Sequence, residues 1–414
     1  MHRVKHGSAM MRVDSRVIDA ICAEIAQRVD PEEVDLVTRF ARLFLAKVPP
    51  EFFQGRGNEA HALLVLRSFR FLQRSRFDRV DVEVLNPDIE NEGWTAPVTV
   101  IRTNVSERPF IVDTLREYLH SQDLSIGRFV YPVLHVARDE DGRVLDVGPA
   151  SAGDPRESLI HCEIPRIGEP ERLEELREAI QRHLEDVVRA TDDFQPMVQA
   201  LDETVSALSD AMTRLPEREE EIREIQDFLR WLRDGGFVFL GYRGYDLVDD
   251  PEKGRSVVVE RGSGLGILRD ESSSTYAEPV PLDELPASLR ERIEKGPLLI
   301  TSKTNALSTV HRRARMDYVG VRKIDENGKL AGERRFIGLF TSQAYSEDAE
   351  RIPILREKLR AILDDAGVLP GSHDYKEIIT IFNSMPKEEL FLTSAEEIGD
   401  EIRAVLALYH THEV

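Results

Sequence analysis

Two cysteines, Cys22 and Cys162, are all that the 414 residues contain. So sparse a set builds neither a disulfide framework nor a cysteine-based zinc site, and it suits a reducing cytoplasm. No run of about 18 apolar residues occurs, so no membrane-spanning helix is expected. The first residues, MHRVKHGSAMMRVDSRV, are basic but lack the apolar stretch of a secretory signal. A basic excess is missing as well: 55 Lys and Arg stand against 76 Asp and Glu, a net charge of −21. Such a surface repels phosphate backbones and argues against nucleic acid as a partner. Much of the acid lies in residues 169–193 and 217–233, where it reads as the solvated faces of helices.

The length suffices for two or three domains with their own cores. Residues 1–76 read as a helical segment. Asp30-Pro31-Glu32-Glu33 predicts a helix start, carried to about residue 47 and ended by Pro49-Pro50. A further helix over 58–73 offers Leu63, Leu64, Leu66, Phe69, Phe71 and Leu72 as core residues. A first sheet domain spans 77–193. Val80, Val82 and Val84 alternate with polar neighbours, which predicts a strand over 80–85. Strands follow at 98–103, 129–137 and 159–164, with helices at 110–120 and 170–192. Residues 194–236 form a helical connector, closed by Gly235-Gly236. A second α+β domain covers 237–345, with strands at 237–242, 256–260, 298–302, 318–324 and 335–341. Asp325-Glu326-Asn327-Gly328 joins the last two as a tight turn. Residues 346–414 are helical again, with a capping box at Ser394-Ala395-Glu396-Glu397. The chain ends directly after that helix, as a segment of a longer protein would.

The order in 80–192 is strand, strand, helix, strand, strand, helix. A ferredoxin-like module runs strand, helix, strand, strand, helix, strand. Moving its last strand to the front gives the order seen here. The strand at 80–85 is therefore expected beside the strand at 98–103, antiparallel to it.

Dinucleotide binding needs a strand, a G-x-G-x-x-G turn and a helix. The nearest text, Gly262-Ser263-Gly264-Leu265-Gly266, has the wrong spacing and no amphipathic helix after it; Gly55-Arg56-Gly57 has no strand before it. Both read as loops. His161-Cys162 falls in a strand, where the side chains point to opposite faces. His410 and His412 are too few for a metal site. Two places have more to offer. The loop Asn104, Val105, Ser106, Glu107, Arg108, Pro109, Phe110 opens onto a helix N-terminus, which favours anions; Ser106 is placed to cap that helix and Arg108 to pair a carboxylate. His311, Arg312, Arg313 and Arg315 form the one basic cluster in an acidic chain, suited to salt bridges, an anionic effector or an acidic partner surface.

The text VTVIRTNVSERPFIVDTLREYLHSQDLSI at 98–126 resembles the ACT signature. More widely, VEVLNPDIENEGW (82–94), FVFLGYR (237–243), SGLGILR (263–269), ITSKTNALSTVHRRARMDYVGVR (300–322) and IGLFTSQAYSEDAERIPILREKL (337–359) resemble the N-terminal region of the large bacterial NAD-specific glutamate dehydrogenases. That resemblance implies an α+β fold of ACT-like (ferredoxin-like) antiparallel modules joined and flanked by helices, the two sheet domains being those modules. It implies a cytoplasmic, non-catalytic regulatory or oligomerisation region. Its partners would be the catalytic domain of the same chain, further copies of itself, and an amino-acid or other anionic effector. NAD would serve the full-length enzyme, with no cofactor in this region. A scaffold that binds no effector is the alternative. One residue departs from the family pattern: amino-acid-binding ACT loops usually follow the proline with Gly, and here Phe110 follows Pro109.

Overall fold

The computed structural model describes residues 15–151 and 153–411. They fall into two compact units, the first reaching Val188 and including Thr309–Arg313, the second formed by Arg189–Ser308 and the chain from Ala314.

The first unit begins with α1 (Ser15–Ala26), α2 (Val34–Leu45) and α3 (Asn58–Arg74). The expected start of α2 at Asp30 is instead a turn closed by Glu33 N–H on the Asp30 carbonyl, and the helix begins at Val34 with no side-chain cap. A six-stranded sheet follows: β1 (Asp81–Leu85), β2 (Val98–Ser106), β3 (Arg128–Val130), β4 (Val133–Arg138), β5 (Val144–Pro149) and β6 (Arg156–Pro165). Helix α4 (Ile111–Ser121) links β2 to β3, and α5 (Pro170–Asp192) follows β6. The strand order is β1-β2-β6-β4-β5, antiparallel throughout, with β3 also on β6. This is the ferredoxin-like order, and β1 holds the fourth-strand place beside β2 as expected, in the register Glu83 opposite Arg102. The single strand expected over 129–137 is broken at Tyr131-Pro132, where proline has no N–H to donate. Strand β5 was not foreseen; its Val144 and Val147 are buried.

Alternation sets the two faces of this sheet. On one, Val100, Leu134 and Leu159 pack against Phe40, Phe44, Leu64 and Val65 of the N-terminal helices. The same face carries Arg102, His161 and Glu163, all buried.

In the second unit α6 (Phe194–Met212) and α7 (Glu219–Trp231) precede the sheet. Gly235, at φ 114°, takes the backbone that ends the helical path, the stop expected of Gly235-Gly236. The strands are β7 (Phe237–Asp250), β8 (Gly254–Val259), β9 (Leu265–Gly266), β10 (Val280–Pro281), β11 (Leu299–Leu307), β12 (Arg315–Ile324) and β13 (Leu330–Phe340), with α8 (Ala287–Lys295) before β11. Helices α9 (Ser342–Ser346), α10 (Leu355–Asp365), α11 (His373–Ser384), α12 (Lys387–Leu392) and α13 (Ala395–Thr411) complete it. Antiparallel strands flanked by helices agree with the expected α+β class, but the order β10-β8-β7-β13-β12-β11 is not that of the first sheet. Hairpins join β7 to β8 and β12 to β13, residues 308–314 join β11 to β12, and α8 carries the chain from β10 at one edge of the sheet to β11 at the other. The Asp325 turn closes β12 and β13 as read, with Gly328 at φ 74°. The Ser394 capping box also forms: Glu397 N–H donates to Ser394 Oγ and Ser394 N–H to the Glu397 carboxylate.

Candidate functional site

Strand β2 delivers the chain to the loop ahead of α4, and each polar side chain of that loop makes at least one hydrogen bond within the first unit. Asn104 is fully buried and donates to Glu157 Oε2 at 2.6 Å, a carboxylate that also takes two bonds from Arg138 at 2.8 Å. Asn104 is thus part of the sheet's interior and not of a binding surface. Glu107 accepts the Tyr131 hydroxyl proton at 2.9 Å; burial, reinforced by the Glu107 charge, pushes that phenol up to about 12. Arg108 folds back, donating to the Ser106 carbonyl at 3.0 Å, to Ser106 Oγ and to the Val188 carbonyl at 3.3 Å.

Ser106 does not cap α4. The N-cap is Phe110, whose carbonyl receives the Thr114 N–H at 2.9 Å and whose side chain caps nothing. Pro109 is exposed and turns the chain into it. Phe110 sits at φ 75°, ψ −6°, the left-handed region that a glycine takes without strain. The backbone of a glycine position is kept here while the side chain is a phenyl ring.

That ring lies on His311, with centroids 5.0 Å apart. Two stretches read separately in the sequence therefore meet. His311 is itself at φ 65°, and its N–H donates to Thr114 Oγ1 at 2.9 Å. Its Nδ1 is 3.5 Å from the Asp113 carboxylate, an attraction that acts when the imidazole is protonated. Just before it in the chain, Thr309 donates to Asp186 Oδ2 of α5 at 2.8 Å and Val310 is buried. Arg313 is exposed; its charge adds to burial in holding His183 of α5 below the usual imidazole range, against a bond to the Ala179 carbonyl. Residues 309–313 thus form a strap along α4 and α5. Arg312 is half-buried within it. Arg315 stands apart, exposed in the second unit opposite Leu307 of β11.

Thr114, Asp113 and Thr309 anchor the strap and were not singled out from sequence. A hydroxyl and an acid in a helix's first turn read as ordinary N-terminal residues, and only the fold shows what reaches them.

The other candidates take structural roles. His161 faces Glu163, while Cys162 points into the opposite face, its thiol pushed up to about 12 by burial. The glycine loop after β8 uses its own amides: Gly262 and Gly264 N–H donate to the Glu271 carboxylate and Gly266 N–H to Asp193. Groups that would cradle a phosphate are occupied by the chain's own acids. Gly55 turns at φ 76°, and Arg56 beside it pairs with Glu163. His412 and the His410 side chain lie outside the described residues. Among the described residues, no three His, Cys, Asp or Glu side chains cluster as a metal site, and no helix is long and apolar enough to cross a membrane.

Comparison with known proteins agrees with this architecture. Residues 40–180 match the family described as glutamate dehydrogenase, ACT1 domain, and residues 352–411 match glutamate dehydrogenase, helical motif 1. The NAD-specific glutamate dehydrogenase of Halomonas elongata is 31% identical over 396 residues, 94% of this chain and 24% of that protein. That of Pseudomonas aeruginosa is 31% identical over 394 residues, with the same coverage. The Mycobacterium tuberculosis enzyme is 27% identical over 305 residues, 72% of this chain and 17% of its own length. The chain thus spans about a quarter of the length of the first two relatives. It belongs to the NAD-specific glutamate dehydrogenase family, as an N-terminal region of it.

Proposed function

We propose that this chain is a non-catalytic regulatory and oligomerisation region of a cytoplasmic NAD-dependent glutamate dehydrogenase. The whole enzyme would convert L-glutamate, NAD and water to 2-oxoglutarate, ammonium and NADH. The observation that carries the reading is likeness along 94% of the chain to about a quarter of much longer enzymes, beginning with an ACT1 module. The self-occupied glycine loop supports chemistry placed elsewhere in the protein, with NAD held by the catalytic domain of the same chain. A neighbouring copy or an anionic effector would bias the module arrangement, and that bias would pass to the catalytic part as a coupling free energy. Phe110 favours assembly over amino-acid sensing at the α4 loop, because its ring occupies the side of the loop that an effector would approach.

A thermal-shift screen with amino acids, nucleotides and NAD, run beside analytical ultracentrifugation, tests this. Self-association without a shift from NAD plus glutamate is the expected result. Glutamate-dependent NAD reduction by the chain alone would overturn the reading.

A further inference from the structure

The second unit holds a cavity of about 280 Å³ on the sheet face away from the large aromatic core. One half of its wall is apolar: Leu247 and Val257 from β7 and β8, Leu289 and Ile293 from α8. The other half is built around Arg335. Its guanidinium lies between two phenol rings, 4.1 Å from the Tyr245 centroid and 5.0 Å from that of Tyr318. Nη1 donates to Tyr245 Oη at 3.0 Å and Nε to Tyr318 Oη at 3.2 Å. The carboxylate nearest Arg335 is Glu333, 3.4 Å from Nε and shared with Arg322 at 3.2 Å and with the Tyr318 hydroxyl. Among the described residues Nη2 of Arg335 donates to no protein acceptor.

An arginine fork can take a carboxylate through two parallel bonds. Here the flanking rings fix the plane of the fork, its Nη2 is uncommitted, and its charge is only partly met by a shared acid. Lys303, also in the wall, is bound to Asp317 and Glu388, each at 2.7 Å, and offers no competing cationic centre.

We propose that this cavity is a binding site for a small monocarboxylate with an apolar body, its carboxylate on Arg335 and its hydrocarbon against Leu247, Val257, Leu289 and Ile293. The acid that would have to receive an ammonium group, Glu333, already serves three donors, so a plain acid fits better than an amino acid. This inference is independent of the regulatory reading, since it concerns binding and not what binding controls.

Calorimetric titration of the whole chain with 4-methylpentanoate tests it, with 3-methylbutylamine as the cationic counterpart. Saturable binding of the acid alone is expected, with Kd on the order of 0.1–1 mM for so small a ligand. Arg335→Gln should weaken it by about tenfold or more, the loss of a charge-assisted pair. Leu289→Trp fills the apolar half and leaves Arg335 in place, so it should abolish binding even if Arg335→Gln does not fold. Absence of saturable binding, equal binding of the amine, or unchanged affinity in a folded Leu289→Trp variant would each overturn the proposal.

Discussion

Both units pack helices against an antiparallel sheet over an apolar core, and the two layers differ in what is added to that core. In the first, ions lie in the layer between sheet and helices. Arg102 meets Glu83 at 2.8 Å and Glu92; Arg56 meets Glu163 at 2.8 Å and lies over Trp94; Arg138 clasps Glu157. In the second, Phe228, Trp231, Phe237, Phe336, Phe340 and Phe391 form a continuous aromatic layer, with Phe340 stacked on Phe391 at 4.4 Å. Aromatic burial contributes directly to stability. Buried ion pairs give back in Coulomb energy roughly what desolvation costs, and their strong effect appears when one partner is removed. They also tie the register: a slip of one residue would carry Arg102 to the opposite face, away from both glutamates.

The largest effects should separate the two layers. Phe340→Ala should cost about 3–5 kcal/mol in the second unit, as a large buried ring leaves a cavity. Arg102→Met should cost about 3–5 kcal/mol in the first, because Glu92 is left charged in the interior. Adding Glu92→Leu should recover most of that loss, whereas no partner change repairs Phe340→Ala. The two tryptophans make this measurable, since Trp94 lies in the first unit and Trp231 in the second. Urea unfolding followed by fluorescence, in Trp231→Phe and Trp94→Phe backgrounds, reads each unit in turn. A double variant no more stable than Arg102→Met would break the contrast.

Smaller are the effects of pH, of one sign in both units but in different windows. Burial pushes the Glu163 carboxyl up, but the bond from His161 and the Arg56 guanidinium outweigh it and bring it down to about 2. Burial holds His161 below the usual imidazole range. Both groups bind protons more readily in the unfolded chain, so the first unit should lose stability as pH falls below about 6.5 and then below about 4.5. In the second unit, burial lowers Lys358 to about 8 while its ammonium donates to the carbonyls of Leu390, Phe391 and Thr393. Between about 8 and its unfolded value the unfolded chain again binds more protons, so the second unit should gain stability as pH rises through that window. Trp94 fluorescence should therefore report acid unfolding before Trp231 does. Simultaneous acid transitions would remove this part of the comparison.

What was legible follows the same division. Alternating valines at 80, 82 and 84 and the residues VTVI at 98–101 announced neighbouring strands, and the element order placed the first beside the second. Turns written in Asp and Gly, at Asp325–Gly328, and the Ser394 cap were equally plain because their signals are local. The ionic layer was not legible. Arg102 and Glu163 stand in strands where a charged residue normally signals the solvent side, and only the pairing of β2 with β6, which sets Arg102 opposite His161 and Val100 opposite Glu163 on one buried face, makes them interior. The order of the second sheet was hidden for a related reason: β13 returning to β7 is a contact of long separation with no local signal. At the candidate site, the loop and the basic cluster were each visible; that His311 rests on Phe110 was not.

That contact allows the smallest and sharpest test. Two effects act on Phe110. Its left-handed backbone costs about 1 kcal/mol for a residue with a Cβ, while the ring recovers a similar amount on His311. Phe110→Ala removes the ring and keeps the strain, so it should lower stability by about 1 kcal/mol or more. Phe110→Gly removes both, at some cost in unfolded-chain entropy, and should lie within about 1 kcal/mol of the parent and above the Ala variant. At an ordinary helix start the order would be reversed or flat, because a free backbone gives glycine no advantage. Unfolding monitored at Trp94 reads the order directly, and Ala above Gly would show that the ring alone, without strain, holds the loop. If the Gly variant in addition gains a thermal shift with an amino acid that the parent lacks, the phenyl ring is what separates this loop from an effector-binding one.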